Sequence, residues 1–281
     1  MSVVVITGCS SGLGWATALA FARRGDRVYA TMRGSERGAE LLETAHREGL
    51  AIRVLELDVT SDDSVQQAID AVLDAEGRID VLVNNAAVVS FGSVELLPDD
   101  LLRSTFETNL FGPVRLLRAV LPAMRRQRSG VVVNVSSVAG RLPALPSHWS
   151  YFASKHGVSV LSDALSLELE PHGIRVLSIE PGFFRSPIIE KAHRPQGDSP
   201  YRALDEAVST LNANGVATGV DAQEIANGIV EAVDQPDGPV HVPVGDSAHW
   251  FLNEVQIRNE AETFSFYRGL IGIETPTGIP A

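Results

Sequence analysis

Seven short runs of apolar residues, rich in valine and isoleucine, are spaced along the first 245 residues of the chain. They are mostly continuous rather than alternating with polar residues, which is typical of strands buried on both faces of a parallel sheet. Because amphipathic segments separate them, the pattern predicts an α/β fold with one doubly wound parallel sheet and helices on both faces. The predicted strands are Val3–Ile6, Val28–Thr31, Ile52–Leu57, Val81–Val83, Val131–Val135, Val176–Ile179 and Val240–Val244.

Four of the longer segments between these runs have the spacing and end signals of helices. One follows a glycine-rich turn, one opens at a serine that suits an N-cap, and a long one contains prolines that predict kinks. The predicted helices are Leu13–Arg24, Ser61–Ala75, Pro98–Gln127 with kinks near Gly112-Pro113 and Pro122, and residues 150–170.

No linker or shift in composition divides the chain, so we predict one domain over residues 1–245. Residues 186–219 interrupt the alternation and predict a long irregular insertion that covers a ligand site as a lid. Residues 246–281 are predicted to be an extension that packs on this domain or on a neighbouring subunit. The breaks in the insertion are Pro187, Pro195, Gly197 and Pro200.

The charge and the single cysteine exclude several classes of protein. A net charge of −12 argues against nucleic-acid binding, which needs a basic face. Cys9 has no partner for an intramolecular disulfide, as is typical of a reducing compartment. The first apolar run, Val3–Ile6, is too short for a signal sequence or a membrane span. We therefore expect a cytoplasmic protein with no membrane partner.

The first predicted strand leads directly into the sequence Thr7-Gly8-Cys9-Ser10-Ser11-Gly12-Leu13-Gly14, and a predicted helix follows. Glycines permit tight turns and close approach of a pyrophosphate, which the amides of a helix N-terminus then face. The alternative is a plain strand-to-helix turn, but this position predicts a dinucleotide site and a Rossmann-like sheet. The expected cofactor contacts are Gly8, Ser10, Ser11, Gly12, Leu13 and Gly14.

The end of the second predicted strand bears on which dinucleotide binds. A cofactor without a 2′-phosphate is usually held by an acidic residue there, whereas this strand ends in Arg33. A guanidinium can bind a phosphate with two hydrogen bonds, and Ser11 can add a hydroxyl. This favours NADP(H), with NAD(H) as the alternative if Arg33 only stacks on adenine.

Tyr151 and Lys155 are four residues apart in a predicted helix, so their side chains share one face. A nearby ammonium and an oxidised nicotinamide ring both favour phenolate and are expected to lower the pKa of the tyrosine. A tyrosine in that setting is a general acid or base for an alcohol proton. A tyrosine followed four residues later by a lysine is common in proteins. It indicates a catalytic pair only together with the motifs around it.

Polar residues follow two of the predicted strands at the edge where ligands bind in such sheets. One strand ends in Asn134-Val135-Ser136-Ser137, whose serines can donate to a substrate oxygen. Another ends in Asn84-Asn85-Ala86-Ala87, and Asn109 lies on the long helix between them.

These motifs, in this order, resemble the short-chain dehydrogenase/reductase family over nearly the whole chain to about Gly245. Thr7–Gly14 and Val28–Arg33 are most similar to the branch that includes steroid and retinol dehydrogenases and carbonyl reductases. The resemblance implies an oxidoreductase that moves a hydride between nicotinamide and a secondary alcohol or ketone. It also implies a homodimer or homotetramer.

The resemblance implies a role for each matching residue. Tyr151 is the proton donor or acceptor, and Lys155 holds the nicotinamide ribose. Ser137, preferred to Ser136 for its spacing to a later glycine, orients the substrate oxygen. Asn109 holds a water in a proton relay toward Lys155. The other implied cofactor contacts are Asp58 at the adenine amine, Asn85 and Ala86 along the adenosine ribose, Pro181, Gly182, Phe184 and Ser186 beside the carboxamide, and Val59 and Ala87.

The chain departs from the family pattern at three places. Ala87 replaces a typical glycine and adds a methyl group beside the cofactor. The distance from Ser137 to Tyr151 is about one residue longer than the family's, which predicts a small bulge in Arg141–Trp149. Ser186 stands where threonine is common, and its hydroxyl can make the same bond.

The substrate is less constrained than the chemistry. His148 either contacts the substrate or lies at the rim of the pocket without a role. A non-catalytic dinucleotide-binding sensor or scaffold is the competing function, but it has no need of an acid–base set. A sugar-nucleotide epimerase shares the tyrosine and lysine but usually has a longer C-terminal domain. A moderately apolar small molecule is indicated by the lid residues Ile188, Ile189, Ala192, Tyr201, Leu204 and Val208.

Overall fold

The computed structural model describes residues 1–194 and 198–272. Pro195 and Gly197 of the predicted lid, and residues 273–281 of the predicted extension, lie outside the described residues. Seven parallel strands form one sheet in the order β3-β2-β1-β4-β5-β6-β7, which confirms the predicted fold. The strands are β1 (Val3–Thr7), β2 (Arg27–Met32), β3 (Ile52–Glu56), β4 (Val81–Asn84), β5 (Gly130–Val135), β6 (Ile174–Pro181) and β7 (His241–Val244).

Helices cover both faces of this sheet. One face is covered by α1, α2 and α8, and the other by α3, α5 and α6. The helices are α1 (Gly12–Arg23), α2 (Ala39–Glu48), α3 (Asp62–Glu76), α4 (Asp99–Phe106), α5 (Gly112–Gln127), α6 (Trp149–Leu169), α7 (Arg202–Thr218), α8 (Ala222–Asp234), α9 (Asp246–Gln256) and α10 (Glu260–Leu270).

The central strand β1 shows why the apolar runs are continuous. Val4 and Ile6 pack into one helical layer, whereas Val3 and Val5 pack into the other. All four side chains are buried. Successive side chains of a strand point to opposite faces, so both sets of alternate positions must be apolar where helices cover both faces.

The long predicted helix at residues 98–127 is divided into three parts. A π-helical segment, Glu107–Phe111, separates α4 from α5, and the Gly112 N–H bonds to the carbonyl of Glu107, five residues back. A single wide turn of this kind inserts an extra residue into a helix and often lies near a functional site. The predicted irregularity near Gly112-Pro113 therefore takes this form, whereas Pro122 lies inside α5.

Two other segments differ from the sequence predictions. The lid was expected to be irregular throughout, but Arg202–Thr218 forms the 17-residue helix α7. Helix α2 was not predicted, because its short amphipathic stretch lies between two strands without a serine or threonine cap. The extension contains α9 and α10, and Phe251 of α9 packs near Val138 and Phe152 of the main domain.

Within the two described ranges, no helix combines the length and the apolar character that crossing a membrane requires.

Helix α2 offers a matched test of the packing. Leu41 is 1% exposed in the core, and its neighbour Leu42 is 41% exposed on the same helix. We expect Leu41→Ala to lower the free energy of unfolding by about 2–5 kcal/mol, because it leaves a cavity. We expect Leu42→Ala to lower it by less than about 1 kcal/mol. Urea denaturation followed by circular dichroism measures both, and equal losses would contradict this placement of α2.

Candidate active site

A cavity of about 500 Å³ opens at the carboxyl edge of the sheet. It spans the junction of β1 and β4, where the strand order reverses and where open α/β sheets bind ligands. Every residue predicted to bind the cofactor lines it, as do three of the four predicted catalytic residues. These are Gly8, Ser10, Ser11, Gly12, Leu13, Gly14, Arg33, Asp58, Val59, Asn85, Ala86, Ala87, Ser137, Tyr151, Lys155, Pro181, Gly182, Phe184 and Ser186.

The glycine turn at one end of the cavity has no room for a side chain at Gly8 or at Gly14. Gly8 has a φ of 75°, and a Cβ there would lie 2.8 Å from the Cα of Ala86. A Cβ on Gly14 would lie 2.4 Å from the carbonyl oxygen of Gly8. Bare backbone therefore lines this end just before the N-terminus of α1, an arrangement that fits the pyrophosphate of a dinucleotide.

Side chains fasten the glycine turn to the end of β4. Thr7 Oγ1 accepts hydrogen bonds from the N–H groups of Asn85 and Ala86, both at 3.0 Å. Asn85 Nδ2 donates to the carbonyl of Thr7 at 2.8 Å and to that of Gly8 at 3.3 Å. Asn85, predicted as a cofactor contact, thus also fixes the shape of the turn.

Three cationic side chains line the cavity beyond the glycine turn. Arg33 follows β2 as predicted, and Arg37 and Lys191 accompany it. Lys191 Nζ donates to Ser11 Oγ at 2.9 Å. The sequence analysis missed the last two. Arg37 lies only four residues after Arg33, and this short spacing could have identified it. Lys191 meets Ser11 only through the tertiary fold.

Tyr151 and Lys155 lie in the first two turns of α6 and face the other part of the cavity. Lys155 Nζ is 5.7 Å from the centre of the Tyr151 ring and donates to the carbonyl of Val135 at 2.7 Å. Ser137 Oγ lies beside the phenol, donates to the carbonyl of Pro181 at 3.5 Å and accepts from the N–H of Ala139 at 3.1 Å. The predicted phenol, ammonium and hydroxyl are therefore together.

Burial shifts both titratable groups toward their neutral forms. It raises the pKa of Tyr151 to about 12, with the neighbouring Ser137 hydroxyl acting in the opposite direction. It lowers the pKa of Lys155 to about 8. The sequence analysis expected the ammonium to lower the tyrosine pKa. Within the protein itself, desolvation of the phenolate dominates, and at neutral pH the phenol keeps its proton.

Ser136 and Ser137 have different surroundings. Ser136 Oγ donates to the carbonyl of Lys155 at 3.1 Å and lies 3.1 Å from Ser159 Oγ, so it is engaged with α6. Ser137 is the serine that lies beside the phenol. This arrangement supports the choice of Ser137.

Asn109 does not line the cavity. Its side chain is buried, and Nδ2 donates to the carbonyl of Val88 at 2.9 Å and to Ser154 Oγ at 3.0 Å. Its Oδ1 accepts from the N–H of Val88 at 2.8 Å. Because both amide hydrogens are used, the side chain connects the π-helical segment to α6. A water held by this side chain would have to donate to Oδ1, which has a second lone pair.

Two of the departures from the family pattern have a structural description. Ala87 does not have a positive φ, so its methyl group introduces no backbone strain. The longer segment before Tyr151 contains Ser147 with a φ of 59°, a left-handed conformation that is uncommon outside glycine.

Residues 2–197 match the family described as short chain dehydrogenase. The chain belongs to the short-chain dehydrogenase family. A 3-ketodihydrosphingosine reductase of Bacteroides thetaiotaomicron is 38% identical over 184 residues, 66% of this chain and 64% of the relative. Estradiol 17-beta-dehydrogenase 1 of Rattus norvegicus is 38% identical over 208 residues, 72% of this chain and 60% of the relative. The chain thus spans less than two thirds of the length of each relative.

Solved structures match this short-chain dehydrogenase over more of its length. A short-chain dehydrogenase from Streptomyces avermitilis has a TM-score of 0.84 and 33% identity, and the match covers 97% of this chain and 98% of that one. A family member from Burkholderia phymatum in complex with NAD has a TM-score of 0.81 and 26% identity over 100% of this chain and 98% of its own. A metagenomic short-chain oxidoreductase in complex with NADP has a TM-score of 0.70 and 28% identity over 86% and 96%.

The buried ammonium predicts a pH-dependent stability. The pKa of Lys155 falls from 10.5 to about 8 on folding, so the penalty for burying its charge is complete below pH 8 and is relieved as pH rises toward 10.5. Relative to Lys155→Met, the free energy of unfolding of the parent should rise by about 2 kcal/mol between pH 7 and pH 9.5. Urea denaturation at both values measures it. Lys191→Met, at the exposed second lysine, is the control. A difference that is constant with pH would contradict the burial of a charged Lys155.

Proposed function

We propose that this short-chain dehydrogenase is an NADP(H)-dependent oxidoreductase. It transfers a hydride between nicotinamide and the oxygen-bearing carbon of a secondary alcohol or ketone. One observation carries the proposal: Tyr151, Ser137 and Lys155 share a single cavity with a glycine turn that fits a pyrophosphate. A cofactor and an acid–base group that open into the same space can act on the same substrate.

Tyr151 handles the proton at its phenol oxygen. Because burial keeps the phenol protonated at neutral pH, it is prepared to donate to a carbonyl oxygen in the direction of reduction. Ser137, which lies beside the phenol, orients the same substrate oxygen. The bound nicotinamide supplies or accepts the hydride. Lys155 would hold the nicotinamide ribose, and its anchor on the Val135 carbonyl fixes the ammonium between β5 and α6.

The preference for NADP(H) rests on the charges around the adenosine end of the cavity. Arg33, Arg37 and Lys191 all line the cavity, and Ser11 contributes a hydroxyl bonded to Lys191. A 2′-phosphate is doubly charged near neutral pH and favours such cations, whereas a ribose hydroxyl gains little from them. Asp58 lines the same end and would contact adenine.

The remainder of the cavity is mainly apolar and suits a moderately apolar ketone or alcohol. Val89, Val138 and Phe152 line it, and residues of α7, α9 and α10 complete the wall. The alternative function, a non-catalytic sensor, gains no support from this arrangement. A sensor has no need of a phenol beside a serine hydroxyl at the end of an apolar pocket.

Replacing the phenol tests the proposed chemistry. We expect Tyr151→Phe to lower kcat/KM for ketone reduction by about 10²–10⁴-fold, because the proton donor is lost. The Kd for NADPH should stay close to that of the parent. Oxidation of NADPH at 340 nm with a panel of ketones measures turnover, and fluorescence titration measures binding. Tyr201→Phe, at a tyrosine whose hydroxyl donates to Glu95 outside the cavity, is the control. Substantial activity in Tyr151→Phe would refute the assignment.

Replacing Arg33 tests the choice of cofactor. We expect Arg33→Ala to raise the Kd for NADPH about tenfold or more and to change that for NADH little, because only NADPH has a phosphate for the guanidinium to bind. Arg103→Ala, at an exposed arginine of α4, should change neither value. Titration of each protein with both cofactors decides the point. Equal losses for NADPH and NADH would mean that Arg33 does not read the 2′-phosphate.

A further inference from the structure

The apolar part of the cavity contains two buried polar side chains that the proposed acid–base chemistry does not use. His148 lies just before α6, and Asn212 lies on the lid helix α7. Both line the cavity, with exposed fractions of 6% and 5%. A buried polar group within an apolar wall needs a hydrogen-bond partner. The apolar side chains that line the same cavity include Val89, Phe91, Leu142, Leu145, Val216 and Phe251.

The hydrogen bonds of His148 fix which of its ring nitrogens carries a hydrogen. Nδ1 lies 3.1 Å from the carbonyl oxygen of Pro146, which can only accept, so Nδ1 is the donor. Burial lowers the pKa of His148 to about 4, so at neutral pH the ring carries one hydrogen only. Nε2 must then be an acceptor. The ring also packs against Phe91 at 4.1 Å between centroids, which fixes its plane.

The acceptor on His148 fixes the orientation of the Asn212 amide. Nδ2 of Asn212 lies 2.6 Å from His148 Nε2 and is the donor of that bond. The amide oxygen, Oδ1, is therefore turned away from the ring. Oδ1 accepts no hydrogen bond from a residue in the described ranges. It is also not among the fully buried side-chain atoms that lack a hydrogen-bond partner, so it keeps some accessible surface.

A second set of contacts holds α7 in this position. Asp205, two turns before Asn212 on the helix, accepts hydrogen bonds from Ser147 and from Ser199. Ser147 and His148 are consecutive residues of the turn that opens α6. The lid helix is thus fastened at two points to the segment that leads into Tyr151. The Asn212 oxygen therefore has a fixed place in the cavity wall.

We propose that Asn212 is a specificity-determining residue whose Oδ1 accepts a hydrogen bond from a second hydroxyl group of the substrate. The substrate class is then an apolar ketone, or the matching alcohol, that carries a hydroxyl at a position other than the reacting carbon. This inference rests on the proposed function. An analogue without that hydroxyl leaves a desolvated acceptor unpaired, and the site discriminates against it for that reason.

Matched pairs of ketones test the proposal. One pair is 4-(4-hydroxyphenyl)butan-2-one with 4-phenylbutan-2-one, and the other is estrone with 3-deoxyestrone. The two pairs differ in the distance between the ketone and the second hydroxyl. With saturating NADPH, the parent should prefer the hydroxylated member of at least one pair by about tenfold in kcat/KM. The hydrogen bond to Asn212 is expected to be equally strong in the ground state and in the transition state. Asn212→Leu should therefore abolish the preference by raising KM for the hydroxylated ketone, with kcat nearly unchanged. Asn214→Leu makes the same change on the exposed side of α7 and should keep the preference.

Several results would overturn the proposal. The first is an equal kcat/KM for the two members of each pair in the parent. The second is a preference for the hydroxylated member that remains in Asn212→Leu. The third is an equal fall in kcat for both members in Asn212→Leu, which would indicate a structural role. If Asn212→Leu does not fold, Asn212→Ser replaces it. The shorter side chain keeps a polar group but moves the acceptor away from the substrate, and the same criteria apply. If the parent reduces no ketone, the proposed function fails separately. Calorimetric titration of the NADP⁺-saturated protein with each pair then decides whether Asn212 recognises the hydroxyl.

Discussion

The bond network of Thr7 joins the ends of two neighbouring strands, and the geometry of the site depends on it. Its hydroxyl accepts from two N–H groups after β4, while Asn85 donates back to the turn that follows β1. These contacts lie at the reversal of strand order, where the connections leave toward opposite faces and a crevice opens between them. Gly14 has no side chain because one would collide with the carbonyl of Gly8. The cavity is therefore a consequence of topology that local hydrogen bonds make rigid.

A second polar network sets the position of α6. Its residues accept hydrogen bonds from three other residues: Asn134 donates to Ser162, Asn109 to Ser154, and Ser136 to the backbone carbonyl of Lys155. Displacing α6 would leave these buried groups without partners, so the network favours one arrangement. The helix that carries the phenol and the ammonium is thus held by bonds that do not use the phenol. The phenol remains available to the cavity.

The sequence predicted those features that arise from short-range spacing. Tyr151 and Lys155 share a face because they are four residues apart, and the glycine turn is contiguous. Contacts between distant segments were not accessible in this way, since Lys191 and Ser11 are 180 residues apart and Asn212 and His148 are 64 apart. The direction of the tyrosine pKa was also wrong for the protein alone. Proximity of a charge is visible in a sequence, whereas the burial that outweighs it is not.

Burial of the Lys155 ammonium works against stability and is informative for that reason. An ammonium in a low-dielectric site is unfavourable unless it is paired with an anion, and here its recorded hydrogen bond is to the neutral carbonyl of Val135. A core selected for stability alone would hold an apolar side chain there. Strained or unfavourable groups of this kind concentrate where function requires them. The group that weakens the fold is one that the proposed chemistry needs, and the hydrogen bonds around α6 offset part of that loss.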